Sequence, residues 1–303
     1  MTFDDFGDFG DYIIYDGAIG TMLQRNGLKP GQRPDIMNIT SPDIVERIHR
    51  MYVEAGSDII CTNTFGANAD TLRSTGYSPE DIITEAVGVA KRAAGSAAKV
   101  ALDIGPIGAL LEPMGELEYD RAYELFKEQA VAGEKAGADF AAIETMSDLS
   151  ELKAAILAVA ENTKLPVLAS MTFNKNGRTY FGVTPGEFAE MAGKLGAAAV
   201  GVNCSVGPAE IAGIMARISE STRLPLIIKP NAGLPDSVTG MYNIDPHEFT
   251  VQMVRSIKAV EAANNADPGL KEQDGRRRFI IGGCCGTTPD YIRELRKIIK
   301  KDN

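Results

Sequence analysis

Eight short apolar runs, rich in β-branched residues, recur along the chain: YIIYDG (12–17), DIICTNTF (58–65), KVALDIGP (99–106), DFAAIET (139–145), PVLASMTF (166–173), AAVGVNC (198–204), PLIIKPNAG (225–233) and RFIIGGCC (278–285). Nearly continuous apolar runs of this length suit parallel strands buried on both faces. The stretches between them carry helix-start signals. Ser41-Pro42, Ser78-Pro79, Thr184-Pro185 and Asp245-Pro246 each place a capping residue before a proline at the first helical position. Glu187 and Glu248 follow Thr184 and Asp245 by three residues, the spacing of a reciprocal capping box. Eight strand–helix alternations in 303 residues predict an α/β fold, a single (β/α)8 TIM barrel with its active site at the C-terminal ends of the strands. A doubly wound open sheet is the structural alternative.

No internal repeat and no low-complexity linker divides the chain, so one domain over 1–303 is expected, with residues 1–10 as an N-terminal extension. The stretch 262–278, AANNADPGLKEQDGRRR, carries Asp-Pro-Gly and Asp-Gly turn signals and reads as a polar loop insertion on the helix-to-strand side of the barrel.

Composition narrows the partners. A formal charge of −10 and a pI near 4.9 oppose sequence-independent binding to nucleic acid or acidic lipid. No apolar stretch approaches the roughly 20 residues of a membrane span, and the acidic start MTFDDFGDFG is unlike a signal peptide. A cytoplasmic location is therefore expected, and the four cysteines read first as reduced thiols: metal ligands, catalytic groups or core.

In a barrel of this kind the chemistry gathers where strands end and strand-to-helix loops begin. Those ends read DGAIGT (16–21), TNTFGAN (62–68), GPIG (105–108), ET (144–145), NCSVGP (203–208), KPNAG (229–233) and GGCCGTT (282–288). Cys204 closes the sixth strand; Cys284 and Cys285 close the eighth. Alternate strands share an interior layer, so three thiols can converge, and zinc held by three thiolates keeps a fourth position open for substrate or water. Gly282, Gly283 and Gly286 are expected to let the backbone turn so that both neighbouring thiols reach one ion. The chemistry alone leaves rivals standing: buried inert thiols, a redox pair, or a phosphate cradle with Thr287 and Thr288 as donors. Cys61 reads as core.

Asp16 and Glu144 each follow an apolar strand, and buried carboxylates there imply a cation between them, such as a substrate ammonium; capping or hydrogen-bonding acids are the plainer reading. His49 and His247 fall in helical stretches and read as surface residues. Lys229, ending the seventh strand, is the candidate for a Schiff-base aldolase.

Taken together, DGAIGTMLQ, CTNTFGAN, IETMSDLSELKAA, GVNCSVGPAEI, KPNAGLP and GGCCGTTPDYI resemble, in this order along the whole chain, the homocysteine S-methyltransferase family. They look most like the homocysteine-binding module of cobalamin-dependent methionine synthase. The resemblance implies one Zn2+ per chain on Cys204, Cys284 and Cys285, with the homocysteine thiol as fourth ligand. It implies that Asp16 and Glu144 receive the ammonium; backbone groups around Gly17 and Ala18, with Asn63 nearby, are the candidates for the carboxylate end. It also implies methylation to methionine, with a methylcorrinoid protein, its methylcobalamin carried on a separate chain, as the first expected donor. S-methylmethionine or another small onium compound is the alternative, and a non-catalytic thiol or corrinoid-docking module a further one. Folate, corrinoid and reactivation modules of those synthases are expected to lie elsewhere, since the sequence stops at Asn303. The lack of tryptophan argues against a betaine cage, and 262–278 looks longer than the family's usual connection.

Overall fold

Each of the eight apolar runs forms a strand, and each strand leads into a helix. The computed structural model describes residues 11–204, 206–236, 242–266 and 278–302. In chain order the elements are β1 (Tyr12–Ile14), α1 (Ile19–Arg25), α2 (Met37–Thr40), α3 (Pro42–Ala55), β2 (Ile59–Cys61), α4 (Ala69–Leu72), α5 (Pro79–Ala94) and β3 (Lys99–Ile104). There follow α6 (Tyr119–Ala136), β4 (Phe140–Met146), α7 (Leu149–Asn162), β5 (Val167–Met171), α8 (Pro185–Lys194) and β6 (Ala199–Asn203). The chain continues through α9 (Ile211–Ser221), β7 (Leu226–Lys229), α10 (Pro246–Ala266), β8 (Phe279–Ile281) and α11 (Pro289–Asp302).

All strand pairs are parallel and run β1-β8-β7-β6-β5-β4-β3-β2. The ring closes between β1 and β2, where Tyr15 bridges Ile59 and the Asp58 amide donates to the Ile14 carbonyl at 2.7 Å. Closure decides for the barrel over the open sheet. Strand alternation then sorts the apolar residues into two cores. Ile13, Tyr15, Ile59, Cys61, Ala101, Phe140, Ala142, Leu168, Ala199, Ile227 and Ile280 fill the barrel interior. Their neighbours, such as Ile14, Ile60, Leu102, Val200, Ile228 and Ile281, face the helices in the larger core. Cys61 lies in the interior set, as expected of a core thiol.

The helix starts follow their local chemistry. Thr184 and Glu187 form the expected reciprocal box at α8, and Ser78 forms one with Asp81 at α5. Asp245 caps α10 by accepting from the amides of His247 and Glu248 at 2.9 and 3.0 Å. Ser41 makes no side-chain cap at α3.

Two expectations are corrected. His49 is fully buried, not a surface residue, because it falls on the stripe Val45, Ile48, His49, Tyr52 that α3 turns inward. Burial without a partner for either ring nitrogen drives its pKa down to about 4. His247 is exposed, with Nδ1 3.2 Å from Glu294. Residues 262–266, assigned to the polar insertion, prolong α10; the remainder of that insertion through 277, and the extension 1–10, lie outside the described residues. Among the described residues no helix is long and apolar enough to cross a membrane.

Candidate metal and substrate site

The two cysteine-bearing strand ends meet because both are laced to the same backbone. The segment leaving β7 offers successive carbonyls to either side. Lys229 accepts from the Cys204 amide at 3.0 Å, and Pro230 accepts from the Cys284 amide at 2.8 Å. The Cys285 carbonyl in turn accepts from Ala232 at 2.9 Å. Three thiols are thereby collected: the sulfurs of Cys204, Cys284 and Cys285 all lie within 4.8 Å of one another, with Cys204 and Cys285 3.9 Å apart. It is the one such cluster among the described residues.

The approach costs backbone strain. Cys204 has φ +58° and Thr145 has φ +65°, left-handed conformations that non-glycine residues rarely adopt. Asn203, fully buried, holds Thr145. Its side-chain oxygen accepts from the Thr145 amide at 2.8 Å and from Ser170 Oγ at 2.9 Å, while its nitrogen donates to Thr145 Oγ1 at 2.7 Å. The same nitrogen lies 4.0 Å from Cys284 Sγ.

The glycines divide their work differently from the expectation. Of Gly282, Gly283 and Gly286, only Gly286 takes a positive φ, +83°. Gly282 and Gly283 are needed for closeness: a Cβ would stand 2.6 Å from the Asp16 carbonyl oxygen in the first case and 2.4 Å from Thr287 Oγ1 in the second.

Hydrogen bonding with Cys204, ahead of burial, keeps Cys284 well above the ordinary thiol range and pushes Cys285 up to about 11. Thiolates crowded this closely repel unless a cation joins them, so metal binding there must release protons.

Beside the thiols the barrel interior turns acidic. Lys229 Nζ pairs with Glu144 Oε2 at 2.5 Å and sits 4.3 Å from the centre of the Tyr15 ring. Burial works against its charge, but Glu144, Cys61, Asp16 and Cys284 outweigh it and hold the ammonium well above its usual pKa. An amine so firmly protonated is a counter-ion, not the nucleophile of a Schiff base. Asp16, 1% exposed, accepts from the Cys61 amide through Oδ2 at 2.8 Å, and its Oδ1 has no partner. Burial, only partly offset by Lys229, raises it to about 7.

Asp103, which sequence reading passed over, is a third acid. It is buried, Oδ1 lacks a partner, and burial reinforced by Glu144 pushes its pKa far up. Its signal was present: KVALDIGP sets an acid inside an apolar strand, the feature that singled out Asp16.

The other expected substrate contacts lie at the same mouth. The Ala18 amide donates to Thr287 Oγ1 at 3.2 Å, and Gly17 packs so closely on Thr287 that a Cβ would stand 2.7 Å from its hydroxyl. The Asn63 side chain donates to the Pro34 carbonyl at 2.7 Å, and its own carbonyl accepts from Asn38 at 2.7 Å, which pins the loop after β2.

A parallel (β/α)8 barrel that gathers three thiols able to hold a metal ion, beside buried acids at its carboxyl mouth, defines a class: an α/β barrel with a three-thiol candidate metal site. The profile of the family "Homocysteine S-methyltransferase" matches residues 13–299, and this chain belongs to that family. It is 32% identical over 314 aligned residues to the methionine synthase of Mycobacterium leprae and 32% over 305 to that of Mycobacterium tuberculosis. It spans about a quarter of their length, 24% of each. Its fold resembles the oxidized form of the homocysteine methyltransferase MmuM from Escherichia coli, with a TM-score of 0.77 at 19% identity over 96% of this chain and 97% of that one. The metallated form of MmuM gives 0.76 at 20% identity.

Proposed function

We propose that this protein methylates the thiol of homocysteine to give methionine, using zinc held by Cys204, Cys284 and Cys285. The observation that carries the reading is the three-thiol cluster. Its dimensions suit the ion: tetrahedral zinc with bonds of about 2.3 Å separates its sulfurs by about 3.8 Å, against 3.9 Å between Cys204 and Cys285. Zinc bound there supplies a Lewis acid that stabilises a thiolate at neutral pH, with one coordination position left for substrate.

The chain's own residues orient the amino acid. The unpartnered Asp16 Oδ1 is an acceptor for its ammonium beside Glu144, whose direction is fixed by its pairing with Lys229. The Gly17 and Ala18 backbone lies next to Thr287, whose hydroxyl already meets the Ala18 amide, and is the reading for the carboxylate end. Thus held, the substrate thiolate attacks the methyl carbon of the donor; the new carbon–sulfur bond forms as the donor's bond to methyl breaks, and its electron pair leaves with the donor. No side chain has to shuttle a proton in that step, and the protein contributes position and an electrostatic setting.

For the donor, a small onium compound such as S-methylmethionine is the first reading. The homocysteine methyltransferase MmuM shares the fold over nearly the whole of both chains, and what supports a cationic donor is the site's own unpartnered acid oxygens. The site offers acceptors to a cationic ligand: the buried Asp16 and Asp103 each have an unpartnered carboxyl oxygen, and the partly buried Glu144 pairs with Lys229. A methylcorrinoid protein is the second reading, supported by the 32% identity to methionine synthases.

The test is metal analysis followed by a donor panel. The purified protein should hold about one zinc per chain and Cys204→Ala should lose it; full metal in that variant would sink the site assignment. Methionine should form from homocysteine with S-methylmethionine. Formation only with methylcobalamin or a corrinoid protein reverses the order of donors, and none with any donor, betaine and methyltetrahydrofolate included, leaves a thiol-binding module without catalysis.

A further inference from the structure

Phe65, on the loop after β2, is an apolar ring that the fold keeps in contact with water. It is 40% exposed, yet the backbone on both sides of it is tied down. The buried Thr64 donates its hydroxyl to the Asp103 carbonyl at 2.7 Å and pairs with the Thr62 hydroxyl at 2.7 Å. The Gly66 carbonyl accepts from Arg33 Nη2 at 2.9 Å, and its amide donates to Asp35 Oδ1 at 3.3 Å. The Phe65 carbonyl itself accepts from the Gly105 amide at 3.0 Å. Three consecutive residues are thus held so that an apolar face stays in water, an arrangement that costs stability. Gly105 sets the seat of the ring. A Cβ built there would stand 2.6 Å from both Cδ2 and Cε2 of Phe65, so any other residue would expel it. Ala101 and Asp103 on β3 face the barrel interior, and position 105 is the next step of that alternation. The ring therefore fills, at the mouth, the place above Asp103 that a side chain from β3 would otherwise take. Beneath it the Asp103 carboxyl is 4% exposed, with Oδ1 unpartnered.

We infer that Phe65 is a specificity-determining residue for the methyl donor: the exposed face of its ring receives the cationic centre of a small onium compound, with the Asp103 carboxyl beneath. The inference rests on the onium reading of the donor. The face of a benzene ring carries negative potential, so a sulfonium or quaternary ammonium is drawn to it, whereas a neutral molecule of the same shape gains only dispersion contact. Because the ring is already seated, little order has to be imposed when the donor arrives. As the methyl group passes to the thiolate the donor loses its positive charge, and the attraction goes with it. The contact thus favours capture of the charged donor and release of the uncharged product. An interaction stronger in the bound donor than in the transition state shows itself in KM, not in kcat.

Steady-state kinetics with S-methylmethionine and homocysteine varied in turn test this. Phe65→Leu keeps apolar bulk over Gly105 and removes the π face. Its KM for S-methylmethionine should rise roughly tenfold, while its KM for homocysteine should rise by less than about twofold. Phe65→Tyr, which keeps a π face, should hold the donor KM within about twofold of the parent. If the unaltered protein makes no methionine from S-methylmethionine, the onium reading fails and this inference with it. If it does, and Phe65→Leu keeps the parent's donor KM, the inference alone is overturned and the donor reading stands. A rise of both KM values together also overturns it, because the ring then only shapes the mouth, and so does a Tyr variant as impaired as the Leu one.

Discussion

The barrel interior consists of two layers that share the same strands and differ in almost everything else. In the deeper one, Ile13, Ile59, Ala101, Phe140, Leu168, Ala199, Ile227 and Ile280 make an apolar plug. About two residues further along several of those strands the inward positions become Asp103, Ser170, Asn203 and Lys229, with Glu144 on β4. On β3, β5 and β7 the alternation continues and only the side chains change; on β4 the register shifts between Ile143 and Met146, where Thr145 takes its φ of +65°. The lower layer stabilises by removing apolar surface from water, and every group in the upper layer is expensive to bury unless it has a partner. One lysine facing three acids, and two carboxylate oxygens with no partner at all, mark a layer kept for binding and not for stability.

Two experiments separate the layers, and a third probes a buried group outside both. The largest effect is expected from Lys229→Met, which leaves Glu144 and its neighbours uncompensated: about 4 kcal/mol of stability lost in urea titration. Lys229→Met combined with Glu144→Gln should recover much of it; a single variant within about 1 kcal/mol of the parent would show that the acids are not held by this ammonium. Next, Leu168→Ala in the plug should cost about 3 kcal/mol yet leave zinc content per folded molecule unchanged. Loss of metal there would mean the layers are mechanically one.

The smallest effect concerns a buried polar group outside both layers. His49 has a folded pKa of about 4 against an ordinary value near 6.5, so it binds its proton mainly when unfolded. The stability this contributes is full above pH 6.5 and is lost as pH falls toward 4. About 2 kcal/mol should disappear between pH 7.5 and pH 5, and His49→Leu should remove that share of the slope. An identical pH dependence in the variant would refute the assignment.

Much of this arrangement was legible in the residue order. Strand runs, proline-marked helix starts and the placing of Cys204, Cys284 and Cys285 at strand ends all carried over, because each depends on local pattern or on the single rule that a barrel has one functional mouth. What escaped depended on which strands are neighbours. Lys229 read as a free nucleophile because its partner Glu144 is 85 positions away and meets it only across the barrel. Asn203 is ordinary in sequence and gains its role from a strained threonine brought to it by the fold. His49 was misread because a helix has no outward sign of which face is covered until the stripe around it is traced.

The paired carbonyls of Lys229 and Pro230 carry one more consequence. They hold Cys204 on one side and Cys284 on the other by hydrogen bonds of the sheet and its extension, so the separation of the sulfurs is indifferent to how much chain runs between them. Cys204 and Cys285 are 81 positions apart, with two strands and two helices interposed. Lengthening or shortening the outer connections should leave the cluster unchanged, whereas slipping β7 by one residue against either neighbour would misplace a thiol. The familiar short spacings by which cysteine sites are recognised have no counterpart here: the ruler is strand registration, and it is written across the barrel, not along the chain.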